Sequence, residues 1–173
     1  MRRFGVIVAL GALLGMLGGL ATASPALAGR GPKWELVDFE AFTLPAAFCG
    51  FDVGVSFPVT NEYSKLLKTA DGSVVTLATG SLRVSLTNLG TGKTITANIS
   101  GPAKATVSSD GSVVFAQKGV SAFAIEPVQA KQFGLPIVSV MAGALTGSVD
   151  PDGNFTSLSL NGHVLLDVCA ALS

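Results

Sequence analysis

The chain has 173 residues, with 11 Lys and Arg against 11 Asp and Glu and a single His. That balance carries no electrostatic footprint for nucleic acid or anionic lipid, and one His excludes a three-His zinc site or any pair of His ligands. Only 13% of residues are charged, Gly numbers 21, and Val, Thr and Ser recur throughout, a composition that suits strands and turns better than helices.

The N-terminus reads as an export signal. Met1-Arg2-Arg3 is a short positive segment, Phe4 to Leu20 is uncharged and apolar, and Ala26-Leu27-Ala28 is a small-x-small cleavage site. The expectation is a signal peptide over 1–28, cleaved after Ala28, and a secreted, extracellular product. No Cys lies near the cleavage point to take a lipid, and no later run is long enough to span a bilayer as a helix, so no stable membrane anchor is expected after cleavage. Loss of Arg2 and Arg3 leaves 9 basic residues against 11 acidic. The remaining length suits one domain. Residues 29–46 hold Trp34, Leu36, Phe39 and Phe42 and read as an extension packing on a domain at 47–173.

Residues 47–59 give the clearest strand pattern. Cys49, Phe51, Val53, Val55 and Phe57 fall on one face, with Gly50, Asp52, Gly54, Ser56 and Pro58 on the other. Leu82, Val84 and Leu86, and then Ile95, Ala97 and Ile99, repeat the period. Asp71-Gly72, Asp110-Gly111 and Asp152-Gly153 are hairpin signals, because Gly accepts the positive φ of a tight turn. Asp71-Gly72-Ser73-Val74-Val75 returns as Asp110-Gly111-Ser112-Val113-Val114, and a further Gly follows each turn at Gly80, Gly119 and Gly162. Each unit reads as a turn followed by a long strand, bent or bulged at its second Gly.

Eight strands are predicted near 47–59, 62–70, 73–87, 93–100, 103–108, 112–126, 136–149 and 154–169. Short connections favour pairing of each strand with the next. An even number of up-and-down strands leaves first and last antiparallel, so a Cys49–Cys169 disulfide would close an eight-stranded antiparallel β-barrel and abolish its edges. A two-sheet β-sandwich stapled by the same bond is the alternative.

Gly90-Thr91-Gly92-Lys93-Thr94 imitates the end of a phosphate-binding loop, but the first Gly that motif needs falls at Thr87, and a plain turn is expected. No Gly-x-Ser-x-Gly elbow accompanies His163. Asn98 and Asn154 open glycosylation patterns that matter only in a eukaryotic secretory route, and both read as ordinary strand and turn residues. The catalytic candidates are Asp167, His163, Asp52 and Glu126. On an unbroken last strand, His163, Leu165, Asp167 and Cys169 share a face, and a disulfide partner of Cys49 would aim them inward; a bulge or a strand end at the disulfide would break that phase. No metal site and no cofactor are indicated.

The chain resembles uncharacterised small secreted β-rich proteins of actinobacteria through Cys49-Gly50-Phe51-Asp52-Val53, Thr87-Asn88 with Thr91-Gly92-Lys93, Ser100-Gly101-Pro102, Asp110-Gly111 and Asp167-Val168-Cys169. The resemblance implies export and a Cys pair and transfers no catalytic residue.

The functional expectation is a non-enzymatic extracellular barrel binding an apolar small molecule or a cell-surface partner. Its interior would be lined by Phe51, Val53, Val55, Phe57, Leu82, Val84, Leu86, Ile95, Ala97 and Ile99. The alternatives are a barrel cyclase or isomerase using the four polar candidates, and a purely structural or adhesive protein.

Overall fold

The computed structural model describes residues 32–173; the expected signal peptide, 1–28, lies outside them. The fold is all-β, one antiparallel sheet of nine strands. Two short strands, β1 (Glu35–Leu36) and β2 (Phe42–Leu44), run along the outer edge of β3 (Val53–Lys68), with Leu36 opposite Tyr63 and Phe42 opposite Val55. β4 (Val74–Asn88) follows β3 by a hairpin. β5 (Thr94–Asn98) and β6 (Ala103–Val107) both pair with β4 in a single register, as one strand interrupted at Ser100-Gly101-Pro102. Pro102 has no N–H to donate, and at the break the Ser100 hydroxyl accepts from the Leu82 N–H at 3.0 Å. β7 (Val113–Ala124), β8 (Val138–Val149) and β9 (Phe155–Asp167) complete the sheet by successive antiparallel pairings. Three short helices decorate it: α1 (Ala46–Cys49), α2 (Pro127–Phe133) and α3 (Val168–Leu172).

The barrel does not close. Among the described residues β9 pairs only with β8, and β3 is flanked by β1, β2 and β4. The expected strands at 47–59 and 62–70 are one strand, continued across a bulge between Ser56 and Val59 where Pro58 cannot donate to the ladder. The disulfide exists, with Cα atoms 5.1 Å apart, but it joins the ends of two helices rather than two paired strands.

The three hairpin turns share one hydrogen-bond pattern. Thr69, Ser108 and Asp150 each donate their N–H to the carbonyl four residues on, and accept from Gly72, Gly111 and Gly153 respectively. These glycines have φ of 83°, 88° and 90°. The arrangement is a tight turn closed by one left-handed residue. The Asp110 side chain accepts from the Ser112 N–H at 2.9 Å, and Asp71 from the Ser73 N–H at 3.1 Å. In the looser third copy the brace comes from Asp150, which accepts from the Asn154 N–H at 2.8 Å. The Thr69 hydroxyl, which also donates to Asp71, and then the Ser73 N–H hold the Asp71 carboxyl below the usual carboxylate range, and the backbone bonds from Ser112 and Asn154 do the same for Asp110 and Asp150.

The second glycine of each repeat marks a bend that crosses the sheet. Gly119 pairs with Gly143, and Gly143 with Gly162. Gly80 pairs with Glu62, and the β4–β6 register carried two residues further sets Gly80 opposite Gly101. A Cβ on Gly143 would stand 2.3 Å from the Asn161 carbonyl oxygen, so the backbones here approach as only Gly allows. Phe115 and Phe123, eight residues apart on β7, both contact Phe155, at ring separations of 6.1 and 5.5 Å. Their rings therefore lie within about 12 Å of each other, whereas eight residues of straight strand span roughly 26 Å. The sheet folds over along the glycine row.

This fold creates two cores. Residues 122, 124, 138 and 140 face Leu44, Val53, Val55, Leu82, Val84, Leu86, Val168 and Leu172. Phe123 and Met141, on the opposite face of the same strands, pack with Phe115, Leu145, Phe155 and Ala130 of α2. β7 and β8 are thus buried on both faces in this stretch. Phe39 and Phe42 of the N-terminal extension pack on Phe57 at 5.1 and 6.4 Å, while Trp34 and Leu36 stay exposed.

Candidate functional site

The residues expected to line a ligand chamber lie in or against the first core. Val53, Val55, Leu82, Val84, Leu86 and Ile99 are buried against one another, and Phe51, Phe57, Ile95 and Ala97 pack around them. These residues are the core, and their apolar alternation expresses burial in a folded sheet rather than a hollow barrel.

None of the four polar candidates reaches this interior: Asp52, Glu126, His163 and Asp167 are all exposed. Two have structural partners. Asp52 accepts from the Ala46 N–H at 2.7 Å and so ties down the first turn of α1, the helix that ends in Cys49. Asp167 is the N-cap of α3 and accepts from the Ala170 N–H at 3.1 Å, fixing the helix that carries Cys169. The two carboxylates therefore position the disulfide. The inward aim expected for Asp167 fails because the β8–β9 register shifts between the Met141–Val164 and Val140–Leu166 pairs, leaving Leu165 as the extra residue and setting Asp167 opposite Ser139, off the face that carries Val138 and Val140; His163, opposite Ala142 ahead of the shift, keeps that face but lies exposed. Glu126 is the N-cap residue of α2 and makes no side-chain cap bond. The phosphate-loop imitation is a turn: Gly92 donates to the Asn88 carbonyl, and the Lys93 ammonium donates to the Ser173 carbonyl at 2.8 Å.

Where the candidate residues do converge is the end of the sheet that carries the helices. Cys49, Asp167 and Cys169 line one side of a groove of about 540 Å³, with Phe48; Pro127, Ala130 and Lys131 of α2 and the following Leu135, Pro136 and Ile137 line the other. Pro127 starts α2 at the first helical position and Gly134, at φ 65°, ends it. The chain then turns back along the groove. Leu135, Pro136 and Ile137 are only half-buried, so their free faces and the disulfide form an apolar floor. The Asp167 carboxylate and the exposed Lys131 ammonium add one charge of each sign to the lining. Lys131 and Leu135 carry no signal in the sequence, because a connection between strands has no periodicity to mark it, and Pro136 and Ile137, expected at the start of a strand, precede β8 instead.

The other residue without such a signal is Glu62. It is 2% exposed, Oε1 has no hydrogen-bond partner, and burial pushes its carboxyl up to about 7. Its cross-strand partner is Gly80, in the glycine row, which supplies no side chain to answer it. Among the described residues no group of three or more His, Cys, Asp or Glu is placed to hold a metal ion, and no helix is long and apolar enough to cross a membrane.

No family model, curated protein or solved structure matches the chain.

Proposed function

We propose that the protein is a non-enzymatic extracellular binding protein that takes an apolar group of a small molecule or of a cell-surface partner into the groove between α1, α2 and α3. The observation that carries this is the contrast between the expected lining residues, which are buried in the first core, and a surface groove floored by half-buried Leu135, Pro136, Ile137 and the disulfide. A concave apolar surface with a few polar groups in its lining is the usual form of a small-ligand site. The cyclase or isomerase alternative would place a polar candidate inside a closed cavity, and all four are exposed. The Cys49–Cys169 bond agrees with the secreted reading, since such bonds persist in oxidising compartments.

The test uses the mature protein purified from its own culture fluid. Native mass spectrometry should show a retained apolar adduct. Titration of the stripped protein with a straight-chain fatty acid should move the NMR signals of Leu135 and Ile137, and Leu135→Asp should abolish both effects. Saturable binding that Leu135→Asp leaves intact would refute the groove.

A second reading, adhesion, has its own support. Trp34, Leu36 and Tyr63 are 47%, 59% and 41% exposed where β1 lies along β3, with Leu36 directly opposite Tyr63. Binding of labelled protein to whole cells that is lost on Tyr63→Ser and kept on Leu135→Asp would favour it.

A further inference from the structure

An unclosed sheet has edges, and this one treats the edges at β3 and β9 differently. The edge at β3 is covered by the chain's own β1 and β2. The edge at β9 has no partner strand among the described residues. Exposed N–H and C=O groups along such an edge are a template for another strand, and natural proteins guard them with Lys, Pro, bulges or short length. β9 runs thirteen residues, and from Phe155 to Leu166 it contains no Lys, Arg, Asp, Glu or Pro. Its register irregularities lie at the two ends, leaving Ser157–Val164 as an unbroken ladder on β8.

We infer that this stretch of β9 is a self-association surface, pairing antiparallel with β9 of a second copy about a two-fold axis at Asn161. The side-chain pattern supports a second copy as the occupant. A two-fold axis at Asn161 sets Leu158 opposite the copy's Val164, Leu160 opposite its Gly162, and Ser159 opposite its His163. Leu158, Leu160 and Val164 lie on the face that carries Leu145 and Met141 of β8. In the single chain Val164 is 37% exposed, and Leu158 and Leu160 are only partly covered by the second core. Across the axis this apolar face meets its own equivalent, and the hydroxyl- and amide-bearing face meets its own. The 9 basic and 11 acidic residues left after the expected cleavage give two copies little reason to repel. The pairing would continue one sheet through both molecules, with affinity from backbone hydrogen bonds and register from the alternating side chains.

Sedimentation velocity on the disulfide-bonded mature protein, over a concentration series, tests this. The wild type should form a dimer. Asn161 is exposed and would meet itself at the axis, so Asn161→Lys places two like charges directly opposite and should raise the dimer dissociation constant about tenfold or more. Asn161→Asp should do the same. Mixing the two variants should restore a dimer containing one of each, which a merely misfolded variant would not give. A wild type that stays monomeric at every concentration overturns the inference. So does a dimer unchanged by Asn161→Lys, or a mixture of the two variants that stays monomeric. The groove-binding experiments are unaffected by any of these outcomes.

Discussion

Glu62 shows how a single-residue slip sets chemistry. Before the bulge, the odd positions Val53 and Val55 of β3 face the core; beyond it, Glu62 does. One extra residue in a strand exchanges its faces, and a carboxyl is left inside. In the folded chain it ionises near 7, against an ordinary 4.5, because burial penalises the charged form. Between those values the folded chain holds a proton that the unfolded chain has released, so stability falls as pH rises. Glu62's contribution is fully present below about pH 4.5 and lost as pH passes about 7, a difference of up to about 3 kcal/mol. Urea melts from pH 4.5 to 8 should show this decline in the wild type and a flatter profile in Glu62→Gln. Equal slopes in the two proteins would mean that the carboxyl is not the group responsible. The turns give a second contrast at this scale. Gly111 sits at φ 88° with only Pro151 in ordinary contact range of an added methyl, so the cost of Gly111→Val comes mainly from backbone strain, roughly 1–3 kcal/mol. Ser112→Thr, one residue later, should change stability little. If the two were equally harmless in a urea melt, no left-handed residue would be required in that hairpin.

At the scale of elements, the hairpins and the bends were legible and the helices were not. Asp-Gly followed by a β-branched or aromatic run marks a turn and a strand by chemistry that is local, and the second glycines at 80, 119 and 162 do mark bends. Ala46–Cys49 adjoins an alternating segment whose apolar phase fits a strand equally well, but the turn at Gly50, φ 81°, ends a helix there. Cys169 reads as the end of a long strand until Asp167 caps a helix instead. Barrel closure depended on both cysteines lying in paired strands, so it failed with them. The groove was only half legible: Cys49, Asp167 and Cys169 stand out in the sequence, while Lys131 and Leu135 come from a long connection and Pro136 and Ile137 were expected within a strand that begins at Val138. The caps and the glycine row each yield a measurement. Asp167→Ala should cost about 1 kcal/mol and Asp167→Asn much less, since Asn also caps. Gly143→Ala should cost more than Gly111→Val, because its methyl would stand 2.3 Å from a backbone oxygen and the strands would have to part. A Gly143→Ala protein as stable as the wild type would show that the sheet bends without a close approach at that position.

Across the whole molecule, the disulfide links the two ends of the folded domain. It spans 120 residues and joins helices whose Phe48, Val168 and Leu172 are buried in the first core. The same core holds residues of β3, β4, β7 and β8, so α1 and α3 are clamped over strands from both halves of the chain. Because the bond lies at the sheet's end rather than across its edges, removing it leaves every strand pairing in place. The loss should therefore appear chiefly through the unfolded chain, which becomes free to expand. For a loop of this length the chain-entropy treatment gives about 4–5 kcal/mol as an upper figure. Replacing Cys49 and Cys169 together by Ala should lower stability by several kcal/mol and raise the urea m-value, since a less constrained unfolded state exposes more surface. Far-UV circular dichroism of the folded variant should match the wild type. Intact mass after alkylation without reductant should show no modified thiol in the wild type and two after reduction. A double variant that keeps both the wild-type midpoint and the wild-type m-value would mean that packing around Phe48 and Leu172 alone holds the two helices in place.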